Sequence, residues 1–172
     1  ALSMGRQLYQ LPHEALAIRE LEQWQPRKCD IATIISCMRT TPPVELNVDK
    51  AFLNECRQLA DQIRGVMGIK TLCVNDAPLK RYDHIYLAIA NAYPQLVFMR
   101  REKRKQALSN GFIEVQQGKS SRTDETTQGA LVIDFHSVPG KGSRQTHHFA
   151  TCMAPLDDGL LRQVDVGQWH MS

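Results

Sequence analysis

An α+β fold is the class that this sequence of 172 residues predicts. Apolar residues in the first half recur at the spacing of helix faces, whereas the second half alternates apolar and polar residues as strands do. Turns rich in Gly, Pro, Asn and Asp separate those strands. We therefore expect a helical part, about residues 1–94, packed on an antiparallel sheet built from about residues 95–172. The length suits one domain spanning residues 1–172.

Four helices are expected in the helical part. Their start signals are Pro12, Asp30, Asp49 and Asp83. The clearest apolar stripe follows Asp49 and comprises Phe52, Cys56, Leu59, Ala60 and Ile63. The inward faces of the helices after Asp30 and Asp83 are predicted to be Ile31, Ile34, Ile35 and Met38, and Ile85, Ile89 and Ala92. Residues 69–74 are a short strand candidate between these helices.

The second part contains most of the expected strands. Residues 95–99 are a strand or a helical start, and residues 100–109 are a charged helical piece that ends at Asn110-Gly111. The remaining predicted strands are residues 112–115, 130–138, 144–153 and 160–166. A polar loop at residues 117–129 and a turn at residues 139–143 separate them.

Composition narrows the class of protein. The chain is 42% hydrophobic and 23% charged, as globular proteins are, and its net charge of +3 is too small to mark a nucleic-acid binder. Five cysteines without a CxxC pair predict reduced thiols rather than a disulfide scaffold. No apolar run reaches the roughly 20 residues of a membrane span, and no secretory signal is visible. We expect a cytoplasmic protein, or one secreted without a visible signal peptide; its start at Ala1 suggests a fragment of a longer chain.

A cysteine, a histidine and an aspartate form the first candidate site. Cys29 is expected at a helix N-terminus, where the helix dipole and the neighbouring Arg27 and Lys28 stabilise a thiolate. His148, on a predicted strand, would accept the thiol proton. Asp165, on the next predicted strand, would hold the imidazole in the required tautomer. This set predicts nucleophilic catalysis by a thiol.

The same residues resemble a known family. Cys29, His148, the Asp158-Gly159 turn and Asp165 stand in the chain order of the papain-like cysteine hydrolases, which include bacterial effector proteases and deamidases. The resemblance implies a virulence-type hydrolase or transferase that acts on a protein substrate and requires no cofactor. It also implies a glutamine before Cys29 for an oxyanion hole, for which Gln23 and Gln25 are available.

Two questions about this site stay open in the sequence. Strand parity puts His147 on the face of Phe149, so with Phe149 towards the core His147 would be the more buried and His148 the available base. The alternative to catalysis is that Cys29 merely flanks a helix and that both histidines are ordinary strand residues.

A metal site is the second possibility that the residues raise. Asp134, His136, His148 and Cys152 are all ligand types that zinc accepts, and they fall on neighbouring predicted strands. Their spacing matches no standard zinc pattern. A solvated sheet face is the preferred interpretation, and no metal is predicted.

A basic segment supports a second possible function, which competes with thiol catalysis. It consists of Arg100, Arg101, Lys103, Arg104 and Lys105, interrupted by Glu102. Lys119, Arg122, Lys141 and Arg144 lie in polar loops that follow. Such a run is often only a solvated helix face, but it also suits phosphates of nucleic acid, an anionic membrane surface or an acidic partner. The rival is therefore a non-enzymatic regulatory or adaptor domain that binds nucleic acid or an acidic partner through this segment.

Overall fold

The α+β prediction is confirmed by a computed structural model, which describes residues 6–69, 81–103, 106–123, 125–142 and 145–164. The chain forms two compact units, residues 1–79 and 80–172. The second unit begins before the predicted change from helices to strands, because one helix belongs to it. The strand candidate at residues 69–74 lies almost wholly outside the described residues.

The first unit is helical in its described part. Its elements are α1 (Ala15–Trp24), α2 (Asp30–Arg39), a 3-10 helix (Val44–Leu46) and α3 (Lys50–Val66). Their buried core consists of Leu8, Tyr9, Leu21, Cys37, Leu46, Phe52 and Leu53. The segment before α1 joins this core through backbone hydrogen bonds from Gln10 N to Leu46 O (2.9 Å) and from Asp49 N to Leu8 O (2.8 Å).

Asp49 caps α3, as its position before the apolar stripe predicted. Its Oδ1 accepts a hydrogen bond from Phe52 N at 2.9 Å, and its Oδ2 lies 3.3 Å from Arg6 Nε. The Phe52 amide first, and then the Arg6 guanidinium, lower the pKa of the Asp49 carboxyl below its ordinary value of 3.8. The charged form of Asp49 is therefore the one that the folded state stabilises.

Replacing Asp49 by asparagine tests this cap. Asparagine also caps helices but carries no charge, so Asp49→Asn removes only the electrostatic part. A carboxyl with a lowered pKa contributes stability that is fully present above pH 3.8 and is lost as the pH falls through its folded-state value. The wild type should melt at a higher temperature than Asp49→Asn at neutral pH, and the difference should shrink below pH 3.8. Circular dichroism melts across this range measure it, and a pH-independent difference would refute the charge effect.

The predicted inward face of the helix after Asp83 was wrong, and that of α2 was confirmed only for Ile34 and Met38. The buried side of α2 is Ala32, Thr33, Ser36 and Cys37 rather than its isoleucines, although Ile34 and Met38 pack partly on the core. The second unit's first helix, α4 (Tyr82–Ala92), buries Tyr82, Tyr86 and Ala90, while Ile85 is 39% exposed. Both helices carry apolar residues on more than one side, so the pattern alone did not select the side that meets the core.

The second unit is a small closed barrel with helices beside it. After α4 and a 3-10 helix (Pro94–Leu96) come β1 (Val97–Arg100), β2 (Ala107–Ser109), β3 (Glu114–Gln117), β4 (Gly129–Pro139), β5 (Thr146–Leu156) and α5 (Asp158–Gln163). The strands pair in the order β1-β2-β3-β5-β4, and β1 closes the barrel against β4. Its core consists of Phe98, Leu108, Val115, Ala130, Val132, Ala150 and Met153.

The sheet is mixed, so the prediction of a purely antiparallel sheet was wrong. β5 pairs in parallel with β3, through Gln116 opposite Phe149 and Gln117 opposite Ala150. All other pairs are antiparallel. The parallel pair arises because the chain crosses from β3 to β4 and returns along β5 in the direction of β3.

Two element predictions in this unit were also wrong. Residues 107–109 form β2 instead of a charged helix, because pairing with both β1 and β3 outweighs the helix propensity of the preceding lysines and arginines. Residues 158–159, predicted as a turn, and residues 160–163, predicted as strand, form α5 instead. Asp157 Oδ1 accepts from Leu160 N at 2.8 Å and caps this helix, which buries Leu160 and Leu161.

No helix within the described ranges is long and apolar enough to cross a membrane.

Candidate functional site

Cys29 lies at a helix N-terminus, as predicted, but deep in the first unit. It is the N-cap of α2, and its Sγ accepts from Ala32 N at 3.5 Å. Its carbonyl accepts from Thr33 Oγ1 at 2.9 Å, and the residue is only 2% exposed. A nucleophile must reach its substrate, so this burial gives the predicted catalytic role no support.

The residues around Cys29 are engaged in holding α2. The amide of Gln25, one of two predicted oxyanion-hole glutamines, donates to Ser36 Oγ at 2.6 Å and accepts from Arg27 N at 3.0 Å. Asp30 is fully buried and accepts from Tyr9 OH at 3.1 Å. Asp30 was expected to cap α2; it is instead the first residue of that helix. These polar groups have hydrogen-bond partners within the first unit, and their bonds hold the chain at the start of α2.

The predicted base and orienting residue lie in the second unit's sequence. Ser137 Oγ and His148 Nδ1 are hydrogen-bonded at 2.8 Å, and the His148 ring meets the ring of Phe135 edge-on at 5.3 Å between centroids. Asp165 lies outside the described residues. Cys29 belongs to one unit and His148 to the other, and the Cys29-His148-Asp165 hydrolase stays a prediction.

The burial order predicted for the two histidines was wrong. His147 is exposed and His148 is half-buried. His147 does share a face with Phe149, but that face points outward, so the premise that Phe149 faces the core was wrong. Met153 faces the core, and between it and Phe149 the register skips Thr151, because Asp134 pairs with Cys152 and Phe135 with Ala150. A bulge exchanges the two faces of a strand, so the side that Met153 faces does not predict the side that His147 faces.

Thiol labelling distinguishes a buried Cys29 from a reactive one. Among the described cysteines, Cys56 is half-buried, whereas Cys29 and Cys37 are 2% and 0% exposed. Burial also raises the pKa of the Cys37 thiol to about 11, so little thiolate exists there at neutral pH. In native protein, Cys56 should be alkylated by iodoacetamide well before either of these, as peptide mass spectrometry will show. Faster labelling of Cys29 than in the urea-unfolded chain would instead favour the nucleophile.

The four possible metal ligands do not form a metal site. Asp134 Oδ2 accepts from Thr151 Oγ1 at 3.0 Å, and the His136 ring stacks on Phe149. Within the described part of the chain, no three His, Cys, Asp or Glu residues are placed to hold a metal ion together.

The basic segment forms the connection between β1 and β2. Arg100 is anchored, with its Nε donating to Thr127 O at 2.7 Å. Arg101 pairs with Glu114 at 3.0 Å on the surface, and Lys103 is exposed. Arg104 and Lys105 lie outside the described residues. The described part of the predicted helical face is thus a loop after β1, in which Arg101 reaches Glu114 on β3.

A polar pocket of about 440 Å³ adjoins this loop. It is lined by Arg100, Gln106, Leu108, Gln116, Gln117, Glu125 and Thr126. Gln117 is held in this wall, because its Nε2 donates to Thr123 O at 2.8 Å and Thr123 Oγ1 donates in turn to Met153 O at 3.3 Å. The pocket offers side-chain amides, a guanidinium and a carboxylate to a ligand.

The His136 and Phe149 rings of the β4–β5 hairpin lie next to β3, the strand whose Gln116 and Gln117 line the pocket. His136 stacks on Phe149, with 5.6 Å between centroids and 29° between the planes. Phe149 is the register partner of Gln116 on β3 and of His136 on β4. Directly paired residues point to the same side of a sheet, so Gln116, Phe149 and His136 form one outward row across three strands.

Sequence reasoning missed Gln116 and Phe149 as site residues. The turn at Gly140–Gly142 could have predicted the pairing of His136 with Phe149. A hairpin turn fixes the register of the strands beside it, which here pairs Pro139 with Thr146 and, further along, His136 with Phe149. The place of Gln116 depends on the parallel β3–β5 pair, which no local pattern reports.

No protein-family model matches this chain, and no curated protein sequence matches it. A function for this chain must therefore be inferred from the chemistry and geometry of the site.

Proposed function

We propose that the second unit binds single-stranded nucleic acid along the outward face that joins the β1–β2 loop, the polar pocket and the β4–β5 hairpin. The observation that carries this proposal is the row Gln116–Phe149–His136, which continues from the pocket beside the basic loop to a stacked pair of rings. Cations for phosphates, amides for base edges and rings for base faces thus adjoin one another on the same surface.

The β1–β2 loop supplies the phosphate contacts. Arg101 is 53% exposed, and its pairing with Glu114 is a surface ion pair, which is weak enough for a phosphate to replace. Lys103 is exposed beside it. The entire positive excess of the sequence also falls within residues 80–172, since the basic and acidic residues of 1–79 are equal in number. An electropositive unit attracts a polyanion at long range.

The rings and the pocket supply base contacts. Aromatic and imidazole faces stack on any base, which suits a single strand whose bases are unpaired. A glutamine side chain presents a donor and an acceptor that match a base edge, and Gln106 and Gln116 are exposed at the pocket. An acidic protein partner would use the cations but not this stack, so the rings favour nucleic acid over that alternative.

The strand order of the barrel gives independent support, at the level of fold analogy. A five-stranded barrel ordered β1-β2-β3-β5-β4, with β3 parallel to β5, has the topology of the OB-fold. OB-folds bind oligonucleotides or oligosaccharides on the face of β2 and β3 and through the β1–β2 and β4–β5 loops. These are the regions where the present cations, amides and rings lie. Since fold alone does not establish function, the residues carry the proposal.

Charge removal in the β1–β2 loop tests the phosphate contacts. In the double variant Arg101→Gln/Lys103→Gln, binding of a fluorescein-labelled oligo(dT) should weaken. The slope of log Kd against log salt should fall by about 0.7 for each phosphate that the variant no longer neutralises. Fluorescence anisotropy over a salt series measures both quantities.

The matched control removes two exposed cations from the first unit, Arg19→Gln/Lys28→Gln. The net charge changes equally, so only the position differs. The control should retain the wild-type slope. Equal slopes for both double variants would show that general charge attraction, not the loop, binds the strand, and would refute the proposed site.

A further inference from the structure

A groove in the first unit has no part in the proposed nucleic-acid site. It encloses about 700 Å³ between the end of α2, the Thr40–Pro43 loop, the 3-10 helix and the start of α3. The described residues that line it include three cations, Arg39, Lys50 and Arg57, and no carboxylate. The basic and acidic residues of 1–79 are equal in number, so the first unit has no net charge. The groove is a local positive region on this neutral unit.

Arg57 is held in position at the wall of the groove. Its Nε donates to Met38 O and its Nη2 to Cys37 O, each at 3.2 Å. These carbonyls belong to the last turn of α2, where the helix dipole favours a cation. Backbone carbonyls carry no net charge, so the guanidinium is fixed while its positive charge is retained. A fixed cation costs less conformational entropy when it pairs with a ligand.

Five of the nine other described residues that line the groove are apolar, and the rest are the uncharged Thr40, Thr41, Asn47 and Asn54. Pro42, Pro43, Val44, Val48 and Leu53 contribute to its lining, and Val44 is 87% exposed at the rim. No aromatic ring is among the described lining residues. This surface can contact aliphatic side chains, but it offers no platform on which a nucleobase would stack.

We infer that this groove docks an acidic peptide segment of a partner protein. Carboxylates of the segment would pair with Arg39, Lys50 and Arg57, and its aliphatic side chains would cover Val44 and Val48. Charge complementarity selects the acidic character, and the apolar lining selects a peptide over a phosphate chain. The inference is independent of nucleic-acid binding, because it concerns the other compact unit.

A designed peptide tests the groove with the full chain. The probe is a fluorescein-labelled peptide of alternating glutamate and leucine, compared with peptides in which lysine replaces glutamate or serine replaces leucine. Only the glutamate–leucine peptide should bind well in fluorescence anisotropy. Equal binding of the glutamate–serine peptide would overturn the apolar part of the inference, and absence of binding at about millimolar concentration would overturn all of it.

Charge reversal at Lys50 locates the contact. Lys50→Glu should weaken peptide binding at least about fivefold, since a surface ion pair is replaced by a repulsion. A glutamate in the first turn of α3 suits the helix dipole, so the variant should fold. The matched control Arg19→Glu reverses an exposed cation on α1 and should leave binding unchanged. An equal decrease in both variants, or displacement of the peptide by oligo(dT), would refute a peptide groove.

Discussion

The variant Phe149→Ala should bind a single-stranded oligonucleotide about 5- to 150-fold more weakly than the wild type, which corresponds to the roughly 1–3 kcal/mol of one base stack. Phe149 occupies the middle of the outward row, opposite Gln116 on one side and His136 on the other. Removing its ring also removes the partner on which the His136 imidazole stacks. The expected decrease in affinity therefore has two sources: the lost contact between Phe149 and a base, and the lost ordering of the His136 ring.

The matched control is Phe112→Ala. Phe112 is 93% exposed in the turn between β2 and β3, at the other end of these strands from the β1–β2 loop. Truncating it removes the same number of atoms without touching the proposed face. Its Kd for the oligonucleotide should equal that of the wild type. If affinity fell equally in the two variants, the stack would not be part of the binding surface.

The variant Gly118→Ala should destabilise the barrel by about 1–3 kcal/mol, the usual cost of overpacking a filled site. Gly118 follows β3 directly, and its amide donates to Ala150 O at 2.8 Å. A Cβ at position 118 would lie 2.6 Å from that same carbonyl oxygen. The obstructing atom is backbone, so no side-chain rotation relieves the contact, and β3 must separate from β5.

This destabilisation should be local to the parallel pair. Hydrogen exchange followed by mass spectrometry should show faster exchange in β3 and β5, and the affinity for oligo(dT) should fall because Gln116 and Phe149 lose their alignment. Gly65→Ala in α3 is the control, since nothing lies within 4 Å of the added Cβ. Alanine is also the better helix former, so this variant should be no less stable than the wild type. Unchanged exchange in Gly118→Ala would contradict the close approach of β3 to β5.

Local signals in the sequence predicted much of the fold. Asp49 before a stripe at helical spacing gave the start of α3, and the glycine-rich turn after the alternating residues 130–138 gave the β4–β5 hairpin. Both signals lie within a few residues of the structure that they determine. The basic segment was likewise found, although as a helix rather than the β1–β2 loop.

The arrangement of the site depended on non-local pairing. β3 and β5 are separated by the whole of β4, and only their parallel register brings Gln116 beside Phe149. The bulge at Thr151 then changes which side of β5 faces the core. The thiol hypothesis likewise rests on chain order, in which Cys29, His148 and Asp165 follow one another as in a hydrolase. Chain order does not report the burial of Cys29, which comes from the packing of α2.

Titration of oligo(dT) into the 15N-labelled chain, with backbone amide shifts followed by NMR, shows which residues contact the single strand. We expect shifts along β2, β3 and the β4–β5 hairpin, including Leu108, Gln116, His136 and Phe149. The amides around Phe112 and those of the first-unit groove should not move. Shifts confined to residues 6–69, or none at saturating oligonucleotide, would contradict the proposal that the barrel face binds single-stranded nucleic acid.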